Sequence, residues 1–297
     1  MLLSIQETSI CNYADDTTIF TSDKNLDNVI TRLESDSTVI IQWFQDNFMK
    51  LNAEKCHFMV LGKSADQTIT VSIGSSTIEN SREEKLLVVI IDRKLTFETH
   101  INKLCKKAGN KLFAISRLSP YIESSKLRIL MRAFVMSQFQ YCPLAWMFHS
   151  KHLNAKIDKI QERALRIAYK DFDSSFEYLL ERDNSVTIHA KNLQTLLTEV
   201  FKTHKNLNPN FMKEIFTERE NMYNLRNNNE FEIPRVRTVN FGSETIRYRG
   251  PQLWLSLSTE TKNAGSIREF KSKIKYWNCD ECLCKICRPF IKNLGFL

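Results

Sequence analysis

Apolar and polar positions follow two different periods along this chain. From Ser9 to Thr21, apolar and β-branched residues flank Asp15 and Asp16, the pattern of a strand, a tight turn and a second strand with two carboxylates at the tip. Leu26, Val29, Ile30, Leu33, Ile40, Phe44 and Phe48 then recur near a period of 3.6. That spacing predicts an amphipathic helix over Asn25 to Phe48, with Asp23 available as its cap. Strand signals resume at Cys56 to Leu61. Thr68 to Glu79 alternates through Ile69, Val71 and Ile73 and carries Gly74-Ser75-Ser76 as a turn, and Leu86 to Ile91 is a continuous apolar run ahead of Asp92. The first hundred residues read as a small mixed layer, a sheet covered by the long helix.

After Phe97 the period becomes helical throughout. Helices are expected over about His100 to Leu118, Ser124 to Phe139 and Asn154 to Tyr169, with Pro120 and Pro143 as breaks. Further helices run from Val186 to Leu207 and from Phe211 to Arg219; the Asn-rich stretch from Asn221 to Pro234 reads as an outward loop. Arg235 to Trp277 is basic and aromatic, and a cysteine cluster closes the chain. The fold class is α+β, a partial sheet with a covering helix followed by a mainly helical region.

Charge sharpens this picture by its location. The net charge is +8, but Ile101 to Lys170 holds 14 Lys and Arg against 3 Asp and Glu. Lys103, Lys106, Lys107 and Lys111 oppose the apolar face of Ile101, Leu104, Ala108 and Leu112. Concentrated positive charge on one helix face is either the electrostatic footprint of a phosphate-backbone binder or a solvated surface. With 42% hydrophobic and 26% charged residues the composition is that of a globular protein. No run of about eighteen apolar residues occurs, so no membrane span is expected. Met1 to Ile10 lacks the basic flank and apolar stretch of a secretion signal, which points to an intracellular protein of the nucleus or cytoplasm.

Two motifs carry chemistry. Adjacent carboxylates on a hairpin tip, as in Tyr13-Ala14-Asp15-Asp16, can approach hard divalent cations, although a bare Asp-Asp is also an ordinary polar turn. Cys279, Cys282, Cys284 and Cys287 place four soft donors close together, which suits tetrahedral Zn²⁺. The single residue between Cys282 and Cys284 is tight. Three of these cysteines with His189 or another distant group form an alternative site, and a reduced, poorly ordered tail is the plain one. Cys11, Cys56, Cys105 and Cys142 read as small core residues. Trp146, Phe148, Trp254 and Trp277 stack on unpaired bases or fill a core. His149 and His152 look like cap or surface residues. No Ser/His/Asp arrangement and no Gly-rich phosphate loop is evident.

The order of motifs carries a family resemblance. The Asp-Asp turn and its helix precede Asn52-Ala53-Glu54-Lys55-Cys56, then Lys85-Leu86-Leu87 leading to Ile91-Asp92, then the basic helices. Gln140-Tyr141-Cys142-Pro143-Leu144-Ala145-Trp146, Glu162-Arg163-Ala164-Leu165-Arg166, Asp183-Asn184-Ser185-Val186-Thr187-Ile188-His189 and Tyr223-Asn224-Leu225-Arg226 continue it. The succession resembles the reverse transcriptases of non-long-terminal-repeat retrotransposons, the jockey-like group in particular.

The resemblance implies a partial palm over 1–97, a basic helical thumb over 98–170, a mainly helical extension over 171–277 and a cysteine-rich tail over 278–297. It implies that Asp15 and Asp16 bind catalytic Mg²⁺ and act with Lys55 near the incoming triphosphate, unless Lys55 merely lies along a strand edge. Tyr13, Lys103, Lys106, Lys107 and Lys111 are the expected contacts to an RNA template and a DNA primer. Val88 stands where the family usually has Gly after paired leucines, which puts that close backbone turn in doubt. The family's third carboxylate and its finger residues would lie before Met1, so the expectation is a carboxy-terminal portion that does not polymerise alone. A nucleic-acid-binding module with a zinc tail, and a decayed element copy with no selected role, are the alternatives.

Overall fold

Tight turns organise the first part of the chain. In the computed structural model the described residues are 5–14, 16–219, 230–238, 241–277 and 282–287. The chain divides into two units, Met1–Thr96 and Phe97–Leu297.

In the first unit, β1 (Ser9–Tyr13) and β2 (Asp16–Phe20) pair antiparallel in a register that closes at Tyr13 opposite Asp16. β3 (Thr70–Ile73) pairs with β4 (Ser76–Glu79), and β5 (Glu83–Leu86) with β6 (Val89–Asp92). The strands thus form three separate two-stranded ladders among the described residues, within the expected α+β class. Gly74, at φ 61°, supplies the left-handed turn of the second hairpin. The third hairpin turns without glycine, holding both Leu87 at φ 43° and Val88 at φ 74°. A conformation that glycine would favour is therefore held by a β-branched residue that resists it.

The long helix α1 spans Leu26–Asp46. Its cap is Asn25, whose Oδ1 accepts the Asp27 amide at 3.0 Å, rather than Asp23. Asp23 lies two residues earlier, where it accepts the Asn25 amide at 2.9 Å and pairs with Arg32 at 3.0 Å. The expected strand over Cys56 to Leu61 reduces to a single bridge between Phe58 and Asn80. The buried Asn80 amide does part of a partner strand's work, accepting the Val60 N–H at 2.8 Å and donating to the Ala65 carbonyl at 3.1 Å. Phe58, Val60, Ile69 and Val71 form this unit's core against Leu26, Ile30 and Leu33 of α1. Asp36, buried on α1, accepts the Glu7 and Thr8 amides at 3.2 and 2.8 Å and so ties the base of β1 to the helix.

The second unit is helical: α2 (Glu98–Leu118), α3 (Ser124–Leu130), α4 (Pro143–Trp146), α5 (Lys151–Tyr169), α6 (Phe176–Asp183), α7 (Ile188–His204), α8 (Phe211–Ile215), α9 (Ile246–Leu255), α10 (Thr259–Lys262) and α11 (Ile267–Lys273). α3 runs on through a π turn at Met131–Val135 and a 3₁₀ turn at Met136–Phe139, so the helix expected to Phe139 is present but loosened. α8 stops at Ile215 because Phe216 turns into the core and Glu218 bridges Phe231. One core gathers Ile101, Leu112, Leu127, Trp146 and Ile157; a second gathers Leu193, Phe201, Trp254 and Phe270, with Phe201 and Phe270 stacked at 4.2 Å. Trp146 and Trp254 are fully buried and Phe148 and Trp277 pack against the second core, so these aromatics fill the interior. No described helix is long and apolar enough to cross a membrane. Residues 220–229, most of the Asn-rich stretch, lie outside the described residues.

Candidate metal and nucleic-acid sites

The β1–β2 hairpin presents the first site. Tyr13 ends β1, Asp16 begins β2, and both side chains are exposed. Ala14, at φ 53°, takes the left-handed turn between them. Asp15 lies outside the described residues. Asp16 makes no ion pair among the described residues. Lys55 ends the 3₁₀ turn Ala53–Lys55, which Asn52 caps by accepting the Glu54 amide at 3.1 Å. Its exposed side chain likewise makes no ion pair among the described residues.

The second site is α2. Ile101, Ala108, Leu112 and Ile115 are buried in the core beneath it, which leaves Lys103, Lys106, Lys107 and Lys111 exposed along the opposite face. None of the four pairs with a described acidic group. Arg128 and Arg132 are employed otherwise: they bind the buried carboxylate of Asp183, each at 3.0 Å.

The third site brings together residues far apart in sequence. Thr187 caps α7 by accepting the Ala190 amide at 3.2 Å, which puts His189 on the first turn of that helix. His189, Cys282, Cys284 and Cys287 are all buried, and one potential ligand atom from each lies within 4.8 Å of the others. Cys284 Sγ and His189 Nε2 are 3.3 Å apart. Cys279 lies outside the described residues. Bonds from the Cys282 and Cys287 thiols hold Cys284 far below the ordinary thiol range, His189 adding to the effect, while the bond to Cys284 helps push Cys282 up to about 12.

Buried polar groups surround this cluster. Burial pushes Asp158 up to about 6, against the opposing influence of His189. Its Oδ2 accepts the Asn154 amide at 2.7 Å, whereas Asp158 Oδ1 and His189 Nδ1 have no hydrogen-bond partner among the described residues. His149 is buried rather than a surface or cap residue. Burial drives it down to about 4, so the ring is neutral and Nδ1 donates to the Trp146 carbonyl at 2.9 Å. The cysteine-bearing segment is held by a buried ion pair, Arg249 to Glu244 at 2.9 Å. Arg249 also donates to the Leu283 carbonyl at 2.9 Å, and Glu244 accepts the Lys285 amide at 3.5 Å. Nothing in the spacing of Asp158, Glu244 and Arg249 marks them in the sequence, because each acts only once the helices are packed.

Comparison with known proteins bears on about a third of the chain. Over 113 residues it is 28% identical to the RNA-directed DNA polymerase from mobile element jockey of Drosophila melanogaster, a stretch covering 38% of this chain and 12% of that protein. Over 98 residues it is 30% identical to the polymerase of the same name from Drosophila funebris, covering 33% of this chain and 11% of that protein. The matched stretch is thus about an eighth or less of each relative's length. No family model and no solved structure gives a match. The chain is related to the reverse transcriptases of mobile elements over about a third of its length.

Proposed function

We propose that this chain contributes the metal-binding carboxylate turn and the nucleic-acid-holding helices of a jockey-like, RNA-directed DNA polymerase acting on an RNA template and a DNA primer. The observation that supports the reading is the kinship with the jockey polymerases in a chain where Tyr13 and Asp16 face each other at the end of an antiparallel pair. An exposed carboxylate beside a tight turn is the hard oxygen donor that Mg²⁺ prefers. Asp15 and Asp16 would hold the ion; its chemistry, when bound, is to stabilise charge on the attacking and leaving oxygens of nucleotidyl transfer.

The remaining roles belong to the chain's own side chains. Tyr13, exposed beside Asp16, supports the primer end. Lys55 neutralises or protonates the departing pyrophosphate. Lys103, Lys106, Lys107 and Lys111 contact the duplex phosphates, since their cationic face is opposed to a buried one and is not paired with described acids.

The test is affinity for an RNA–DNA primer-template duplex over a series of salt concentrations. Binding weakens steeply with salt, because each neutralised phosphate releases counterions. Replacing all four lysines by alanine is expected to flatten the log–log slope by roughly 3 to 4, at close to one per phosphate contact. An unchanged slope would show that α2 is only a solvated helix.

A further inference from the structure

We propose that His189 Nε2 and the thiolates of Cys282, Cys284 and Cys287 bind one Zn²⁺ as a closed structural centre, clamping the 282–287 segment to the first turn of α7. The inference stands apart from the polymerase reading and survives or fails separately from it.

Three kinds of observation carry the zinc centre. The donors are chemically right: three sulfurs and one imidazole nitrogen are soft to borderline ligands, which favour zinc over the hard ions magnesium and calcium. The geometry is close to sufficient as well. A tetrahedral ion with Zn–S of about 2.3 Å and Zn–N of about 2.0 Å needs its ligands roughly 3.5–3.8 Å apart. The four atoms already lie within 4.8 Å of one another, with one pair at 3.3 Å, so a shift of about an ångström completes the site. Finally, the surroundings are built. The Arg249–Glu244 ion pair, buried on both sides, fixes the backbone on either side of Cys284 through Leu283 and Lys285.

The ligand set also settles what kind of centre this is. Four protein ligands leave no open position for water or substrate, which separates a structural zinc from a catalytic one. The tight Cys282-x-Cys284 spacing is relieved when the fourth ligand comes from α7 rather than from the same short segment. Metal-bound histidines usually give their second ring nitrogen to a carboxylate or carbonyl. His189 Nδ1 and Asp158 Oδ1 are both buried without a hydrogen-bond partner among the described residues. Asp158 is therefore assigned as the carboxylate that orients the histidine, a positioning residue and not a ligand.

The experiment uses the whole 297-residue chain, reconstituted with Zn²⁺ under reducing conditions, and reads metal content and zinc-edge X-ray absorption. One zinc per chain is expected, with three sulfurs at about 2.3 Å and one nitrogen at about 2.0 Å. Cys279→Ser keeps the metal and the same spectrum; His189→Ala loses it; His189→Cys recovers it with a four-sulfur spectrum. A chain that takes up no zinc, a four-sulfur spectrum in the unaltered protein, or loss of zinc in Cys279→Ser with retention in His189→Ala would overturn the proposal. Should His189→Ala fail to fold, the spectra of the unaltered chain and of Cys279→Ser decide the matter. Asp158→Asn is expected to weaken zinc binding about 10–100-fold in chelator competition. Unaltered affinity in that variant removes Asp158 from its assigned role.

Discussion

Replacing Val88 by glycine is expected to stabilise the first unit by about 1 kcal/mol, although no contact is gained. The β5–β6 ladder closes at Leu86 opposite Val89, so Leu87 and Val88 alone make the turn, and both have positive φ. Such two-residue turns favour Asn-Gly because the first position tolerates, and the second prefers, the left-handed region. A β-branched residue there is strained, by about 1–2 kcal/mol relative to a residue without a Cβ clash. Val88 is 55% exposed, so removing its side chain sacrifices little burial. Glycine's additional freedom in the unfolded chain returns about 0.5–1 kcal/mol of the gain. Hydrogen exchange measured on the 83–92 segment reads the difference directly, since about 1 kcal/mol slows opening-limited exchange roughly fivefold. Val88→Ala, which keeps a Cβ, is expected to change little. Exchange that is unchanged or faster in Val88→Gly would refute the reasoning and show that the turn is unstrained.

Two further outcomes follow from buried carboxylates. Asp36→Ala removes the acceptor for the Glu7 and Thr8 amides, and is expected to cost the first unit about 1.5–3 kcal/mol in urea unfolding and to speed exchange in β1 before β3; equal effects on both strands would contradict the anchoring role. Burial raises the Asp183 carboxyl, but bonds from Arg132, Tyr169 and Ser185 outweigh it and hold the group below the usual carboxylate range. The stability this adds is present above the unfolded value near about pH 3.9 and is lost as pH falls through the lower folded value. Asp183→Asn is therefore expected to lower thermal stability by about 1.5–3 kcal/mol at pH 7, and its deficit is expected to shrink below about pH 4; a deficit that stays constant down to pH 3 would contradict the linkage.

How much of this was legible in the sequence differs by link. The α1 periodicity, the β1–β2 strand pair and the helices after Phe97 can be read because each is local: period, turn chemistry and charge lie on consecutive residues. Asp23 and Asn25 are both good cap residues two positions apart, and only the backbone decides for Asn25. The apolar run over Cys56 to Leu61 does not form a ladder, since Asn80, some twenty positions later, satisfies Val60 instead. His149 lies on no long amphipathic helix, so no periodicity announced its burial. The cysteine cluster announced soft donors, yet the joining of His189 to Cys284 spans 95 positions and depends on how α7 and the 282–287 segment pack. Asp158, Glu244 and Arg249 carried no sequence signal, because a buried carboxylate or ion pair is recognisable only from its partners.

The most direct test of the polymerase reading joins this chain behind the upstream region of the jockey polymerase and measures template-dependent primer extension in Mg²⁺. Extension by the joined protein is expected, with a loss of at least about 100-fold on Asp15→Asn or Asp16→Asn, the scale on which a site loses rate when a charge-stabilising group is removed. Extension that persists undiminished in both variants, or a joined protein that binds the primer-template yet adds no nucleotide, would contradict that reading.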